Sequence, residues 1–413
     1  MKNGRYAFLL LCCAAAGTAL TTCAPAPAGG SAREMKLKAD IRALGGFPDF
    51  DQKMTDYATT VPPDAASWTF SVTVPDETGN KLKKYKDTMP LAVGRNTYSV
   101  VVPFIDPGTS EETTKRYTVS VYKPRYVSPY VGNMMRVPAG TFQREKRSDK
   151  LSAVSEFAMS QHEITINQFW AVMGYDNLGF GRAATSDEPV RRVNWYEAAV
   201  FCNRLSLAEG LKPCYSMSSA DFPDYSLEGG VDIDRLSIEH AWFEGATDPW
   251  WSSVKADYSA DGYRLPSYFE WVWAAMGADS SAPGEVNRSG YRKKYAGDTG
   301  SDFPGHYAVW REERPLPVGT KLPNELGLYD MTGNVGEWFT DALEIVKVDP
   351  EKAIQYPELE GQVDDYRGNE AAPGRAFAPS NFAVKEMWGI MQTPLVPTAL
   401  YRNDNLGFRV VRR

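Results

Sequence analysis

The chain has 413 residues, 12% of them aromatic and 23% charged, with a formal charge of −7. That length accommodates two domains of ordinary size, each with a sizeable core, while an acidic balance without a basic cluster excludes phosphate-backbone recognition, so no nucleic acid is expected as partner. Five cysteines, three of them within the first 23 residues, do not make a disulfide framework, and stability must come from a core supplied by eleven Trp and twenty-two Tyr.

In residues 1–22, Lys2 and Arg5 precede an apolar run from Tyr6 to Leu20 that is too short to span a bilayer comfortably and reads as a signal peptide. Leu20-Thr21-Thr22-Cys23 resembles the Leu, small, small, Cys signal of bacterial lipoproteins. The resemblance implies that Cys23 is lipidated and becomes the new N-terminus, a membrane tether that two or more acyl chains make stable. Ordinary secretory cleavage nearby is the alternative. No second apolar run approaches the length of a span, so membrane contact is expected through lipid alone, at the outer membrane or cell surface. Residues 23–39, rich in Ala, Pro and Gly, follow as a linker that cannot bury enough surface to fold.

Between residues 40 and 124, apolar residues alternate in short runs: Trp68 to Val74, Tyr98 to Val102, Tyr117 to Tyr122. Period two with turn residues between the runs predicts strands. The closing run resembles the last strand of cadherin-like or immunoglobulin-like modules, which implies a small β-sandwich. Nothing in it concentrates reactive side chains, and its expected role is that of a spacer.

From about residue 130 to 413 the sequence is Trp-rich and turn-rich without regular alternation, which by itself predicts a compact α+β domain. Asn194 with Glu197, and Ser267 with Glu270, have the spacing of capping boxes. Each opens a predicted helix, the first with Ala198, Phe201, Cys202 and Leu205 as its buried stripe. Further on, Gly333, Asn334 and Gly336 allow a tight turn between Asp330 and Glu337. That turn gathers carboxylates and carbonyls, an oxygen-only set suited to a hard cation, Ca²⁺ before Mg²⁺.

Six motifs stand in order: Met135 to Phe142, His162 to Phe169, Pro189 to Asn203, Tyr263 to Trp271, Gly327 to Trp338, and Asn405 to Arg409. Together they resemble the sulfatase-modifying-factor family, whose type member is the formylglycine-generating enzyme. The resemblance implies an α+β fold class: a C-type lectin-like domain of the formylglycine-generating-enzyme subtype, preceded here by the small all-β sandwich. It also implies one structural calcium ion, held by the Asp330 and Glu337 side chains and the carbonyls of Gly333 and Val335. The family's enzyme uses two copper-binding thiols shortly before the final Leu-Gly-Phe-Arg. Between Arg367 and Arg413 this chain has no cysteine, so neither copper nor catalysis is expected, because the sulfur chemistry has nothing to run on. In some relatives the residue at the Cys202 position pairs with a cysteine after Phe-Arg; here that residue is Val410, and Cys202 is expected as a buried apolar residue. His162, His240 and His306 are isolated, and no nucleophile elbow, phosphate loop or HExxH motif occurs.

The frame around the lost active site persists as Arg367-Gly368 and as Arg402 to Arg409, but the interior of the segment from about 365 to 405 is idiosyncratic. An intact scaffold around scrambled loop content is similar to the variable proteins of diversity-generating retroelements, and a lipoprotein with a small N-terminal domain is closest in character to their treponemal member. There, substitution at adenines of mostly Asn codons yields Asn, Asp, Tyr, Phe, Leu, Val, Ser or Ala, and not Trp, Met or Lys. The resemblance makes Asn369, Phe377, Asn381, Phe382, Leu395, Val396, Tyr401, Asn403 and Asp404 candidate ligand-binding residues, with Met387, Trp388 and Met391 as fixed packing. The function implied is that of a surface-displayed, lipid-anchored binding protein for an unknown protein or other macromolecular ligand. The alternatives are a fixed-specificity accessory lipoprotein that binds a glycan or peptide, and an oxidase with residual activity.

Overall fold

In the computed structural model the described residues are 10–14, 21–22, 56–75, 82–105, 112–144, 147–175, 186–217, 254–280, 294–297, 304–343, 359–368, 372, 374–384 and 394–413. The chain divides into two units, Met1–Arg125 and Tyr126–Arg413.

Alternating apolar residues in the first unit produce the strands Asp56–Thr60, Ser67–Pro75, Leu82–Pro90, Gly94–Ile105 and Glu112–Lys123. The last two form a long antiparallel hairpin, and Asp56–Thr60 adds to it in parallel. Ser67–Pro75 and Leu82–Pro90 form a separate two-stranded sheet. Trp68 of this sheet stacks on Tyr98 of the other with ring centroids 5.4 Å apart, and Tyr57, Met89, Val121 and Tyr122 are buried around them. Two sheets with one aromatic core make the unit a small β-sandwich. The apolar run of the expected leader contributes Leu10–Ala14, which pairs with the edge of Gly94–Ile105.

Among its described residues the second unit has three α-helices: α1 (Ile166–Met173), α2 (Trp195–Ala208) and α3 (Tyr268–Ala275). Each starts at a complete capping box, Thr165 with Gln168, Asn194 with Glu197 and Ser267 with Glu270. In each the cap oxygen takes one orphan N–H of the first turn, and the third residue returns to the cap's own N–H. The predicted stripe of α2 is wholly buried: Ala198, Phe201, Cys202 and Leu205 have no solvent exposure. A four-stranded antiparallel sheet runs in the order Val411–Arg412, Phe157–Ser160, Gly132–Val137, Tyr126–Ser128. A three-stranded sheet runs Gly374–Ala378, Gly336–Leu343, Leu406–Gly407, its first pair antiparallel and its second parallel. Phe408 joins the two helices α1 and α2, edge-on to Phe169 at 6.4 Å and to Phe201 at 5.2 Å.

Candidate ligand-binding site

The sequence motifs are one another's hydrogen-bond partners. Trp195 Nε1 donates to the Phe339 carbonyl at 2.8 Å, and Trp338 Nε1 returns to the Val193 carbonyl at 2.8 Å. Trp273 Nε1 donates to Pro138 at 2.8 Å, and Trp271 Nε1 to Glu337 Oε2 at 2.8 Å. Burying an indole costs least when its N–H is satisfied, so each of these four Trp ties together two segments far apart in the chain. Gly407 is a close backbone approach in this frame, since a Cβ there would lie 2.2 Å from the Val190 carbonyl oxygen.

The turn from Asp330 to Glu337 lies inside this frame. Asp330, Gly333 and Asn334 all have positive φ, at 56°, 87° and 55°, and a Cβ on Gly333 would lie 2.1 Å from the Val309 carbonyl oxygen. Glu163, which drew no attention in the sequence, anchors the turn: it accepts Asn334 Nδ2 at 2.7 Å and the Val335 N–H at 3.0 Å. Its signal was an acidic residue two positions before the Thr165 cap, where no capping role explains it. Burial raises the Glu163 carboxyl well above its usual range, and the charges of Asp330 and Glu337 add to this. Burial also raises Asp330, to about 6, against the Gly319 N–H and Arg409. The Gly319 N–H reaches Asp330 Oδ2 at 2.8 Å, while Oδ1 is buried and has no hydrogen-bond partner.

These residues do not fit the calcium set expected from the sequence. Glu337 is buried and spent on Arg409, whose Nε and Nη2 bind its two oxygens at 2.7 Å each, with Trp271 as a third donor. With three donors on about four acceptor positions, this carboxylate has little left to offer a cation. Asp330 offers one open oxygen, and Gly333 and Val335 offer carbonyls only. Among the described residues no three His, Cys, Asp or Glu side chains are grouped to hold a metal.

The C-terminal segment is in part the edge of a sheet. Beyond Gly374–Ala378 the ladder continues through Arg375 N–H to the Pro397 carbonyl at 3.0 Å, and reciprocally between Phe377 and Leu395 at 2.9 and 3.0 Å. This corrects four of the candidate ligand residues. Phe377 is buried between Trp338 at 5.4 Å and Tyr401 at 6.0 Å, and Val396 is buried with 1% exposure. Asn381 spends its amide on an Asx turn, accepting from Ala383 N–H at 3.0 Å and donating to the Pro379 carbonyl at 2.8 Å. Phe382 is buried, and its N–H donates to the Asn334 carbonyl at 2.8 Å. In a ladder, successive side chains alternate between core and solvent, so a stretch read as loop presents only part of itself. Asn369, Met387, Trp388, Met391 and Cys23 lie outside the described residues.

Leu395, Tyr401 and Asn403 are half-buried and Asp404 is exposed. Asn403 Nδ2 donates to Tyr401 Oη at 2.7 Å. Arg192 grips Asp404 with Nε and Nη2, the latter at 3.0 Å from Oδ2, and this bond holds the Asp404 carboxyl below its ordinary range. Arg192 itself has a φ of 59°, and its N–H donates to the Asn403 carbonyl at 3.0 Å. Arg402 reaches inward, 3.1 Å from Glu197, whose carboxyl also accepts Tyr175 Oη at 3.2 Å. Burial raises the Glu197 carboxyl, with Arg402 the largest opposing influence. Arg192, Arg402, Asn403 and Asp404 line an open depression of about 470 Å³. Neither arginine was singled out in the sequence; the Arg191-Arg192 doublet before the Asn194 cap was the available sign.

Three short capped helices on sheets that include the unit's first and last strands, cross-tied by buried indoles, define an α+β domain of the C-type lectin fold in its formylglycine-generating-enzyme subtype. Residues 120–413 match the family described as "Sulfatase-modifying factor enzyme 1-like domain", and the chain belongs to that family. Over 225 residues, 50% of this chain and 70% of the relative, it is 32% identical to "Chaperone protein LppX" of Paenibacillus barcinonensis. "Treponema denticola variable protein 1" superposes with a TM-score of 0.50 at 24% identity, covering 76% of this chain and 99% of that one, a likeness of fold. PvdO from Pseudomonas aeruginosa gives a TM-score of 0.44 at 18% identity over 70% of this chain and 97% of that one. Among the described residues no helix is long and apolar enough to cross a membrane.

Proposed function

We propose that this protein is an exported, lipid-anchored binding protein whose lectin-fold domain displays a diversified C-terminal site and performs no catalysis. One observation carries the reading. The family's motifs are kept and hydrogen-bond to one another, while the segment in which the family's enzyme carries two reactive thiols has none from Arg367 to Arg413. What the frame holds out instead is the depression lined by Arg192 and Arg402 to Asp404, in the segment that also carries the half-buried Leu395 and Tyr401. Its mixture of aromatic, aliphatic and amide or acid side chains on fixed backbone suits adaptable recognition of a protein or other macromolecule. Among the described candidates the reading assigns variability to Leu395, Tyr401, Asn403 and Asp404, the ones that are not buried. The fold likeness to a variable protein supports this reading, as does the leader ending at Cys23.

The neighbouring DNA tests it: an imperfect repeat of the codons for residues 365–413 is expected beside a reverse-transcriptase gene, with differences at adenines of the exposed positions. A locus with neither removes diversification. The 32% identity to a protein described as a chaperone favours a second reading, a fixed-specificity accessory lipoprotein, for which residues 401–404 stay constant between isolates. In either case a sulfatase-type cysteine peptide incubated with the protein, copper and oxygen is expected to give no aldehyde.

A further inference from the structure

We infer that Cys202 and Cys214 form a disulfide as the lectin-fold unit folds, closed by exchange with an external disulfide and then sealed by the core. The timing rests on the exported location proposed above; the pairing rests on the geometry.

Beyond residue 23 the sequence contains these two cysteines and no others, with eleven residues between them. Small apolar filling explains burial, but not why the pair is brought together. Asn203, next to Cys202 on α2, accepts the Tyr215 N–H at 3.0 Å and donates to the Tyr215 carbonyl at 2.7 Å. The residue after one cysteine is thereby pinned to the residue after the other. Ser206 stands four residues beyond Cys202 on the same face of α2. Its hydroxyl donates to the Cys202 carbonyl at 2.7 Å, and a Cβ on Gly262 would lie 2.6 Å from it. Cys214 Sγ in turn donates to the Gly262 carbonyl at 3.3 Å. Two independent routes therefore bring Cys214 to the side of α2 that carries Cys202; both are free, buried thiols in the structure and belong to one apolar cluster.

The oxidant is a disulfide, either glutathione disulfide or the active-site disulfide of an exported oxidoreductase. The thiolate of one cysteine attacks it, forming a mixed disulfide and releasing one thiolate. The second cysteine then attacks the protein sulfur of that bond and releases the other. One S–S bond breaks and one forms; the two cysteines lose two electrons and two protons, and the oxidant leaves as two glutathione thiols or as the oxidoreductase dithiol. In the folded protein both thiols are screened from any donor, and burial pushes Cys202 well up and Cys214 to about 11. Thiolate is then scarce, which places closure before the core forms.

The full chain is purified under reductant, unfolded, and refolded with oxidised and reduced glutathione. A non-reducing tryptic map is expected to show the peptide carrying Cys202 linked to the one carrying Cys214. The oxidised form should melt roughly 5–10 °C above the reduced one. Reduced protein that is already folded should keep both thiols through the same treatment. Cys202→Ala and Cys214→Ala, made singly, should lose the linked peptide and melt like reduced wild type. Two free or separately glutathionylated thiols after refolding would overturn the pairing. Linked peptides after refolding, but two reduced thiols in protein taken from its own cells, uphold the pairing and count against the exported location.

Discussion

His162 is half-buried, its ring stacked on Tyr329 at 4.9 Å and set close against Gly319. Burial, with Arg409 adding to it, lowers its pKa from 6.5 to about 3. As pH falls below about 6.5 the unfolded chain takes this proton and the folded one does not, so the stability contributed by neutral His162 is full above that pH and is lost towards pH 3. His162→Gln should flatten that part of the acid limb by up to about 1.4 kcal/mol per pH unit, read from urea unfolding. Asp330 has the opposite sign. With its folded pKa raised to about 6, its buried charge is a cost that grows as pH rises from 3.8 to 6. Asp330→Asn keeps an acceptor for the Gly319 N–H and tolerates the positive φ, so in a chelator it should be the more stable form above pH 6. Calcium that protects wild type and not this variant would restore the cation that Glu337 does not accommodate. Removing one partner of the buried Arg409–Glu337 pair strands the other. Arg409→Met or Glu337→Gln alone should cost about 3–5 kcal/mol, and the double variant less than the sum, which a double-mutant cycle reads directly.

At the scale of elements, capping decides where the helices begin. Asn194→Ala should lower stability by about 1 kcal/mol, because it frees the Glu197 N–H at the buried start of α2. This is measurable by denaturant midpoint at unchanged slope. The boxes of α2 and α3 were legible in the sequence as Asn-x-x-Glu and Ser-x-x-Glu; that of α1 uses Thr165 and Gln168 inside a motif read for its family likeness. The segment after residue 365 was harder to read. Its composition marks it as unlike the frame, but the pairing of Phe377 with Leu395 is a long-range choice that no local periodicity announces. The exposed end of the segment can therefore be separated from its buried part. Changing Asn403 and Asp404 together to Ala should abolish binding of whatever partner copurifies with wild type and shift the melting temperature by little, whereas Tyr401→Ala also removes the ring stacked on Phe377 and should lower it. The same treatment of Phe377 and Val396 should unfold the domain by opening cavities; calorimetry distinguishes the two.

For the molecule as a whole, local pattern sufficed for one unit and not for the other. A sandwich is announced by period two and turn residues, and the strands around Trp68, Tyr98 and Val121 follow that rule. The lectin-fold unit has few regular elements, and its motifs were legible only as a set of recognised residues in order. The structure supplies their physical content: Trp195 and Trp338 are far apart in the chain and close in space because each indole needs the other segment's carbonyl. Sequence by itself determined the fold class, the helix starts and the missing thiols, since these depend on residue identity and short spacing. Tertiary structure alone decided that Glu337 belongs to Arg409, that Phe377, Asn381, Phe382 and Val396 are interior, and that Arg192 and Arg402 flank the exposed tip. Those are questions of which distant groups meet once water is excluded, and burial and charge pairing are properties of the folded whole.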